Sequence, residues 1–430
     1  MVPPAGKEGK MIKTKWVHGV VLILLALLFC IACNMAHVLI DTERMRANAT
    51  QAVDMLWVQE GAFDVIGGMP STRHDNYTAI LKVKTAAYTG GESFWHRVFG
   101  GFRAEFEPAG EMSDWDAFCT YGDGRDTGIG GLSYSRYWHG YILPLRILLS
   151  FTTLSNIEML MYALEFALIL LCALLMQRRE LTKAVVPWGL GVFLMVPITM
   201  AACIQFVPVM LIFLLASAAL LYGYERIERF AGMPVFFFLI GLFTCYYDLL
   251  TAPTVTLSFP LTLLILMEGK KEQKKVLSTV FLSVFAWGIG YVGMYLFKFL
   301  LNDLILDTGA GGAFAQIRIR MSSHSNGSDY SRLYALFKNI NVLTSKHAYL
   351  AVFGIMALYI LGSWMRKGRT GSLQWLLLVP CLIPLVFMLA TSNHIYEHYY
   401  FTYRNLSGVI FAGASFLLFR QNAFETAKKL

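Results

Sequence analysis

Long apolar runs separated by short polar breaks dominate this chain. The first, Trp16 to Ile40, holds no Asp, Glu, Lys or Arg, and at about 1.5 Å per residue it is long enough for a hydrocarbon core of about 30 Å. Further runs lie at 157–176, 184–201, 204–223, 233–249, 253–268, 276–300, 348–365, 373–391 and 403–419. Backbone groups in lipid must bond within their own segment, so such runs are expected as helices. The pattern predicts an all-α polytopic membrane protein with about ten transmembrane helices and a large first extracytoplasmic loop. In order, it predicts a basic N-terminus (1–15), a first transmembrane helix (16–40), a loop domain with amphipathic helices (41–140), a multi-span domain (141–419) with an outer loop at 302–347, and a C-terminal tail (420–430). The segment 137–154, with Tyr137, Trp138, Pro144 and Arg146, suits a re-entrant or interfacial helix as well as a loop.

An even number of spans puts both termini on one side. The segments that would then be cytoplasmic carry 19 Lys and Arg, the tight turns near 202 and 250 carry none, and the short loop 392–404 carries only Arg404. This asymmetry predicts cytoplasmic termini. No small-residue cleavage site follows the first run, so a retained signal anchor is expected. With 56% hydrophobic and 15% charged residues, the chain has too much apolar surface for one soluble core. The net charge of +8 is explained by topological anchors, and nucleic acid is not implied. The 41–140 stretch is itself acidic, with 14 Asp and Glu against 9 Lys and Arg. Six of the seven cysteines fall in the apolar part of the chain and only Cys119 lies clearly outside it, so no disulfide framework or Cys/His metal spacing is expected. Walker A and dinucleotide fingerprints are missing too, and no cofactor is expected.

Candidate chemistry gathers in the predicted outer segments. Across 41–59, Met45, Ala49, Ala52 and Leu56 recur at helical spacing, which predicts an amphipathic surface helix. Its first turn holds Asp41, Glu43 and Arg44, which either serve the helix dipole or act on a substrate at the membrane surface. Asp54 sits beside Met55 and Leu56, where burial would make it a stronger base. The polar run Arg73-His74-Asp75-Asn76-Tyr77-Thr78 is either a sugar-binding cluster, led by His74 and Asp75, or an Asx-capped turn that starts a helix at Tyr77. The glycines at 122–131, with Asp123, Arg125 and Asp126, make a lid or a linker.

The segment Ser133 to Arg146 interleaves Tyr134, Tyr137, Trp138 and Tyr141 with Arg136 and His139. An interfacial belt accounts for the Tyr and Trp. It does not account for an Arg and a His among them, and phosphate is the natural partner of Arg136. Asp248 is expected to face outward from a short turn, and the 302–347 loop contributes Asp303, Asp307, Arg318, Arg320 and His324. His394 and His398 stand at i, i+4 around Glu397, near Arg404. That pair suits a divalent metal but lacks a third ligand, so no metal site is assigned. Glu165 and Lys298 are the charges deepest in the spans.

A first helix ending in an exported acid, a long first outer loop with amphipathic helices and about ten spans together resemble the GT-C superfamily of polyprenyl-phosphate-sugar glycosyltransferases. Phrases such as SYSRYWHGY, YYDLLTAP and NHIYEHYYFTYR are similar to those of bacterial polytopic envelope proteins. The resemblance implies a bacterial cell-membrane enzyme moving a sugar from a polyprenyl-phosphate donor to an envelope glycan or lipid acceptor. By position it implies Asp41 as base, with Glu43 and Asp54 as rivals, although Thr42 separates two acids that the family often pairs. Two other readings are a flippase for a lipid-linked saccharide, using Glu165 and the spans near Pro197 and Pro208, and a non-catalytic envelope assembly factor. The transferase reading expects one outer cavity lined by Asp41 or Glu43, His74 or Asp75, Arg136, His139, Asp248 and His394.

Overall fold

A computed structural model describes residues 5–59, 61, 63, 65–104, 131–269, 271–306, 310–325, 327–364 and 372–419. The expectations for the 122–131 glycine loop up to Gly130, and for Cys119, Asp123, Arg125, Asp126 and Asp307, lie outside the described residues. The regular structure of the described chain is helical apart from two short antiparallel pairs, Arg103–Ala104 with Gly131–Leu132 and His324–Ser325 with Ser328–Asp329.

Among the described residues, four helices are long and apolar enough to cross a membrane: Thr14–Leu39, Leu154–Arg178, Val207–Phe230 and Gln273–Leu306. Arg332–Thr344 and His347–Ser363 make a fifth when taken together, bent by 86° at their junction. Of the ten runs expected as transmembrane helices, the described residues thus give four, or five with the bent pair, of spanning length. Several of the remaining runs form shorter apolar helices, including Thr182–Leu194, Met233–Tyr247, Val255–Glu268 and Gln374–Ala390, and the 137–154 segment forms another, Ile142–Phe151. Imino acids and strained backbone explain part of the difference. Pro187, Pro260 and Pro384 lie inside helices, where each removes a backbone donor. The 184–201 run is broken at Val196, which adopts φ +55 before Pro197. The long helices keep Leu28, Phe285 and Leu358 more than half exposed, as suits side chains solvated by lipid.

Helix contacts in the bundle are close. A Cβ on Gly241 would stand 2.2 Å from Trp287 O, and one on Gly290 would stand 2.2 Å from Phe238 O. Met233–Tyr247 and Gln273–Leu306 thus approach backbone to backbone, the arrangement that small residues allow inside a membrane.

The region before the second long helix forms a layer of its own. Its amphipathic helix runs from Glu43 to Asp54, continues as a π-turn through Gln59, and buries Met45, Ala49, Ala52 and Leu56, the four positions picked out by spacing. The N-cap is Thr42, whose hydroxyl accepts from Met45 N at 3.1 Å. Asn76–Ala87, capped by Asp75, packs beside it, and within the 137–154 segment a helix, Ile142–Phe151, packs against both.

Arg146 ties these pieces together. It donates to His37 O at 2.7 Å, Ile40 O at 2.9 Å and Ala86 O at 2.6 Å, and also to Tyr88 O. One guanidinium thus satisfies carbonyls at the end of the first span and at the end of the Asn76–Ala87 helix. Arg146→Ala leaves those carbonyls buried without a donor and is expected to cost about 3–5 kcal/mol. Arg146→Lys should recover little, because a single ammonium lacks the planar fork that reaches them all. Chemical denaturation of the purified variants checks this, and a loss below about 1 kcal/mol, near that of an ordinary hydrogen bond, would refute it.

Candidate functional site

A cavity of about 420 Å³ opens between this layer and the bundle. The helix Asn76–Ala87 presents Thr78, Leu81, Lys82 and Thr85 to it, one face at i, i+3, i+4, i+7 spacing. The segment before Ile142–Phe151 adds Tyr134, Arg136, Tyr137 and Tyr141, the Asp248–Thr254 turn adds Leu249 and Thr251, Ala310–Met321 adds Arg320, and the chain after Thr391 adds His394, His398, Tyr400 and Phe401.

Positive charge dominates the lining. Lys82, Arg103, Arg136 and Arg320 face one carboxylate, Asp75, among the described residues. The histidines do not add to it: burial holds His394 far below the usual imidazole range and His398 at about 4. Arg136 is aimed by its neighbours. It donates to Gln316 Oε1 at 3.2 Å and Tyr134 Oη at 2.8 Å, and its guanidinium lies 4.6 Å from the Tyr134 ring centre. No carboxylate among the described residues pairs with it. Arg320 lies 3.5 Å from His398 Nε2. The site can therefore bind an anion with two guanidinium groups, while Tyr77, Tyr134, Tyr137, Tyr141 and Tyr400 supply aromatic faces with polar ends, suited to a sugar.

Asp75 has two tasks. Its oxygens accept from Thr78 N at 3.1 Å and Thr78 Oγ1 at 2.7 Å, capping the helix, and it also reaches the cavity. Burial pushes its carboxyl above the ordinary range, against the pull of Thr78 and Arg73. The Asx-cap alternative for this segment therefore describes the local structure, with the helix opening at Asn76 and not at Tyr77.

Of the residues expected at one site, the structure brings together Asp75, Arg136, His394 and His398. His139 sits one layer behind, its ring nitrogens against Tyr141 Oη at 3.1 Å and Tyr134 O at 2.6 Å. Burial lowers its pKa to about 3, so it orients two lining tyrosines as a neutral ring. Asp248 is buried and not outward-facing, because Thr251 N and Oγ1 hold its carboxylate at a tight turn. Burial raises it to about 6. Trp138 is buried, with Nε1 on Met294 O at 2.8 Å.

The other expected site residues lie elsewhere. Arg404 is a buried structural tie, donating to Met195 O at 2.9 Å and Ser71 O at 3.2 Å. His74 is half-buried and does not line the cavity. Asp41, Glu43 and Asp54 do not line it either: Asp41 pairs with Arg46, Glu43 is exposed in its helix, and Asp54 projects to solvent, without the burial expected beside Met55. His394 Nε2 lies 2.6 Å from Leu250 O, and no group of three His, Cys, Asp or Glu side chains among the described residues is spaced to hold a metal. Lys82, Arg103 and Tyr400 were not expected here. The Thr78–Lys82–Thr85 spacing along the Asn76–Ala87 helix was the available signal for Lys82.

A second cavity, of about 310 Å³, continues from the first. Arg136, Tyr137 and Arg320 line both. Beyond them its walls are apolar, with Val292, Leu296, Phe299, Ile317 and Phe387 from Gln273–Leu306, Ala310–Met321 and Leu378–Ala390. Comparison of the chain with models of protein families, with curated proteins and with solved structures gives no match.

Proposed function

We propose that this chain is an integral membrane glycosyltransferase that moves a sugar from a polyprenyl-phosphate donor to an acceptor at the outer face of a bacterial cell membrane. One observation carries the reading: a basic, tyrosine-rich cavity and an apolar groove share Arg136, Tyr137 and Arg320 at their junction. A polyprenyl-phosphate sugar has the same three parts in the same order. The prenyl tail lies in the groove, the phosphate meets the two arginines, and the sugar rests among the tyrosines.

The chemistry follows from that placement. Asp75, the carboxylate at the cavity, takes the proton of an acceptor hydroxyl as its oxygen bonds to the anomeric carbon. The bond from that carbon to the lipid phosphate oxygen breaks, and the electron pair leaves with the phosphate, whose charge Arg136 and Arg320 hold. A single displacement inverts the anomeric centre. We read the shorter apolar helices as completing a bundle of about ten crossings with cytoplasmic termini, a topology supported by the basic residues in the last turns of, or just beyond, Leu154–Arg178, Val207–Phe230 and Val255–Glu268.

The test is transfer of labelled sugar from a polyprenyl-phosphate donor by the protein in proteoliposomes. Leu296→Trp, which fills the apolar groove, is expected to lower transfer about tenfold or more, through loss of donor affinity. Transfer unchanged by Leu296→Trp, or absent from the parent protein with donors of several sugars, would overturn the reading.

A further inference from the structure

A third cavity, of about 370 Å³, reaches the same site from another side. Apolar Leu145, Leu148, Met161, Val207 and Leu211 line it, between Ile142–Phe151 and the long helices Leu154–Arg178 and Val207–Phe230. Pro144 and Leu215 on its rim are exposed on the apolar outer surface of the bundle. Its other end is Tyr141, which also lines the polar cavity.

A cation marks this junction as one marks the other. Lys82 lies in the polar cavity with Nζ 4.1 Å from the Tyr141 ring centre and 3.3 Å from the carbonyl of Ile204, itself a groove residue. The side chain is buried, and that carbonyl is its one hydrogen-bond acceptor among the described residues. An ammonium has three donors, so two remain for a ligand. Burial lowers the Lys82 pKa to about 7, against the pull of Asp248, and an anionic head beside it would favour the charged form. A buried, underused ammonium where a lipid-accessible groove meets a polar cavity is suited to an anionic head carried on an apolar tail.

We infer that the acceptor is itself a membrane lipid with a phosphate-bearing head, its tail in the groove between Ile142–Phe151 and Val207–Phe230 and its head at Lys82. This rests on the transferase reading and names its second substrate class. Two lipids would then enter from opposite sides of one polar chamber. The donor phosphate sits at Arg136 and Arg320, the acceptor head at Lys82, and Asp75 shares the Asn76–Ala87 helix with Lys82, as N-cap and as a lining residue.

The experiment uses the full chain in phosphatidylcholine nanodiscs with two photoactivatable probes that share one diazirine-bearing alkyl tail. One has a phosphate monoester head and the other a hydroxyl. Labelled peptides are mapped by mass spectrometry. The phosphate probe is expected to label both 204–215 and 291–299. Lys82→Met should reduce labelling of 204–215 about tenfold, as loss of one charge-assisted bond implies, and leave 291–299 unchanged, which also shows that the variant folds. Lys82→Arg should retain most of it. Leu211→Trp should block the same groove by bulk, with Leu296→Trp acting reciprocally.

Equal labelling of 204–215 by both probes, or labelling there that ignores Lys82→Met, would mean that bulk lipid fills the groove and would overturn the inference. Sugar transfer separates this from the enzymatic reading. Transfer to a soluble glycan without head-dependent labelling of 204–215 sinks the lipid acceptor and keeps the transferase. No transfer with any donor sinks the transferase and, with it, the acceptor role, even where Lys82-dependent labelling persists.

Discussion

Alanine at both Arg136 and Arg320 is expected to abolish detectable binding of a polyprenyl monophosphate to the purified protein. A charge-assisted hydrogen bond contributes about 1.5–3 kcal/mol, so each single substitution should weaken binding about 10- to 100-fold, and the two together should exceed the range of an ordinary titration. Arg136→Lys should behave more like Ala than like the parent. Gln316 and Tyr134 fix a planar guanidinium at this place, and an ammonium has neither the fork nor the reach to use both. Raised salt should matter little, since Arg136 is only partly exposed and buried charges are weakly screened. Arg404→Ala is the control. That arginine holds Met195 O and Ser71 O, so its loss should lower the melting temperature, with donor affinity intact in the fraction that remains folded. Titration of all five variants with a short-chain polyprenyl phosphate decides the matter, and parental affinity in the double variant would remove the phosphate site.

The contrast between Arg136 and Arg404 shows how far the chain could be understood from its sequence. Both are arginines beside apolar runs, and position in the sequence does not tell them apart. What separates them is whether backbone carbonyls from distant segments reach the guanidinium. That depends on how Thr182–Leu194 and the Ser71 turn pack, a long-range fact without local signal. Periodicity worked where one face decides the outcome: Met45, Ala49, Ala52 and Leu56 are the buried stripe of their helix. Adjacency misled for Asp54, because a neighbour in sequence is not a neighbour on a helix face. Asp248 follows the same logic. A turn between two apolar helices was expected to face water, but the layer holding Lys82 covers it, and Thr251 supplies the hydrogen bonds that make its burial tolerable. The 184–201 run breaks at Val196, a change of backbone direction that its uniformly apolar composition does not signal.

The same covering layer decides which carboxylate is expected to matter most. Position at the end of the first span favoured Asp41, yet the cavity is lined by Asp75. Asp75→Asn is expected to lower sugar transfer about 10²- to 10⁴-fold, the usual contribution of a general base, because an amide cannot take the acceptor proton. The substitution separates the two tasks of this residue. Asn caps helices about as well as Asp, so Thr78 N keeps its acceptor, and stability and donor binding should change little; Asp75→Ala would remove both tasks at once. Asp41→Asn, Glu43→Gln and Asp54→Asn should each retain most of the activity, since none of the three reaches the cavity. The pH profile gives an independent reading of the base. Transfer needs the carboxylate form, and burial holds the Asp75 pKa above that of an ordinary Asp. The rate should therefore fall with acidification at a pH above the usual aspartate value of about 3.9, and the residual rate of Asp75→Asn should lack that limb. Full activity in Asp75→Asn, with loss in Asp41→Asn, would return the base to the end of the first span and leave Asp75 as a helix cap alone.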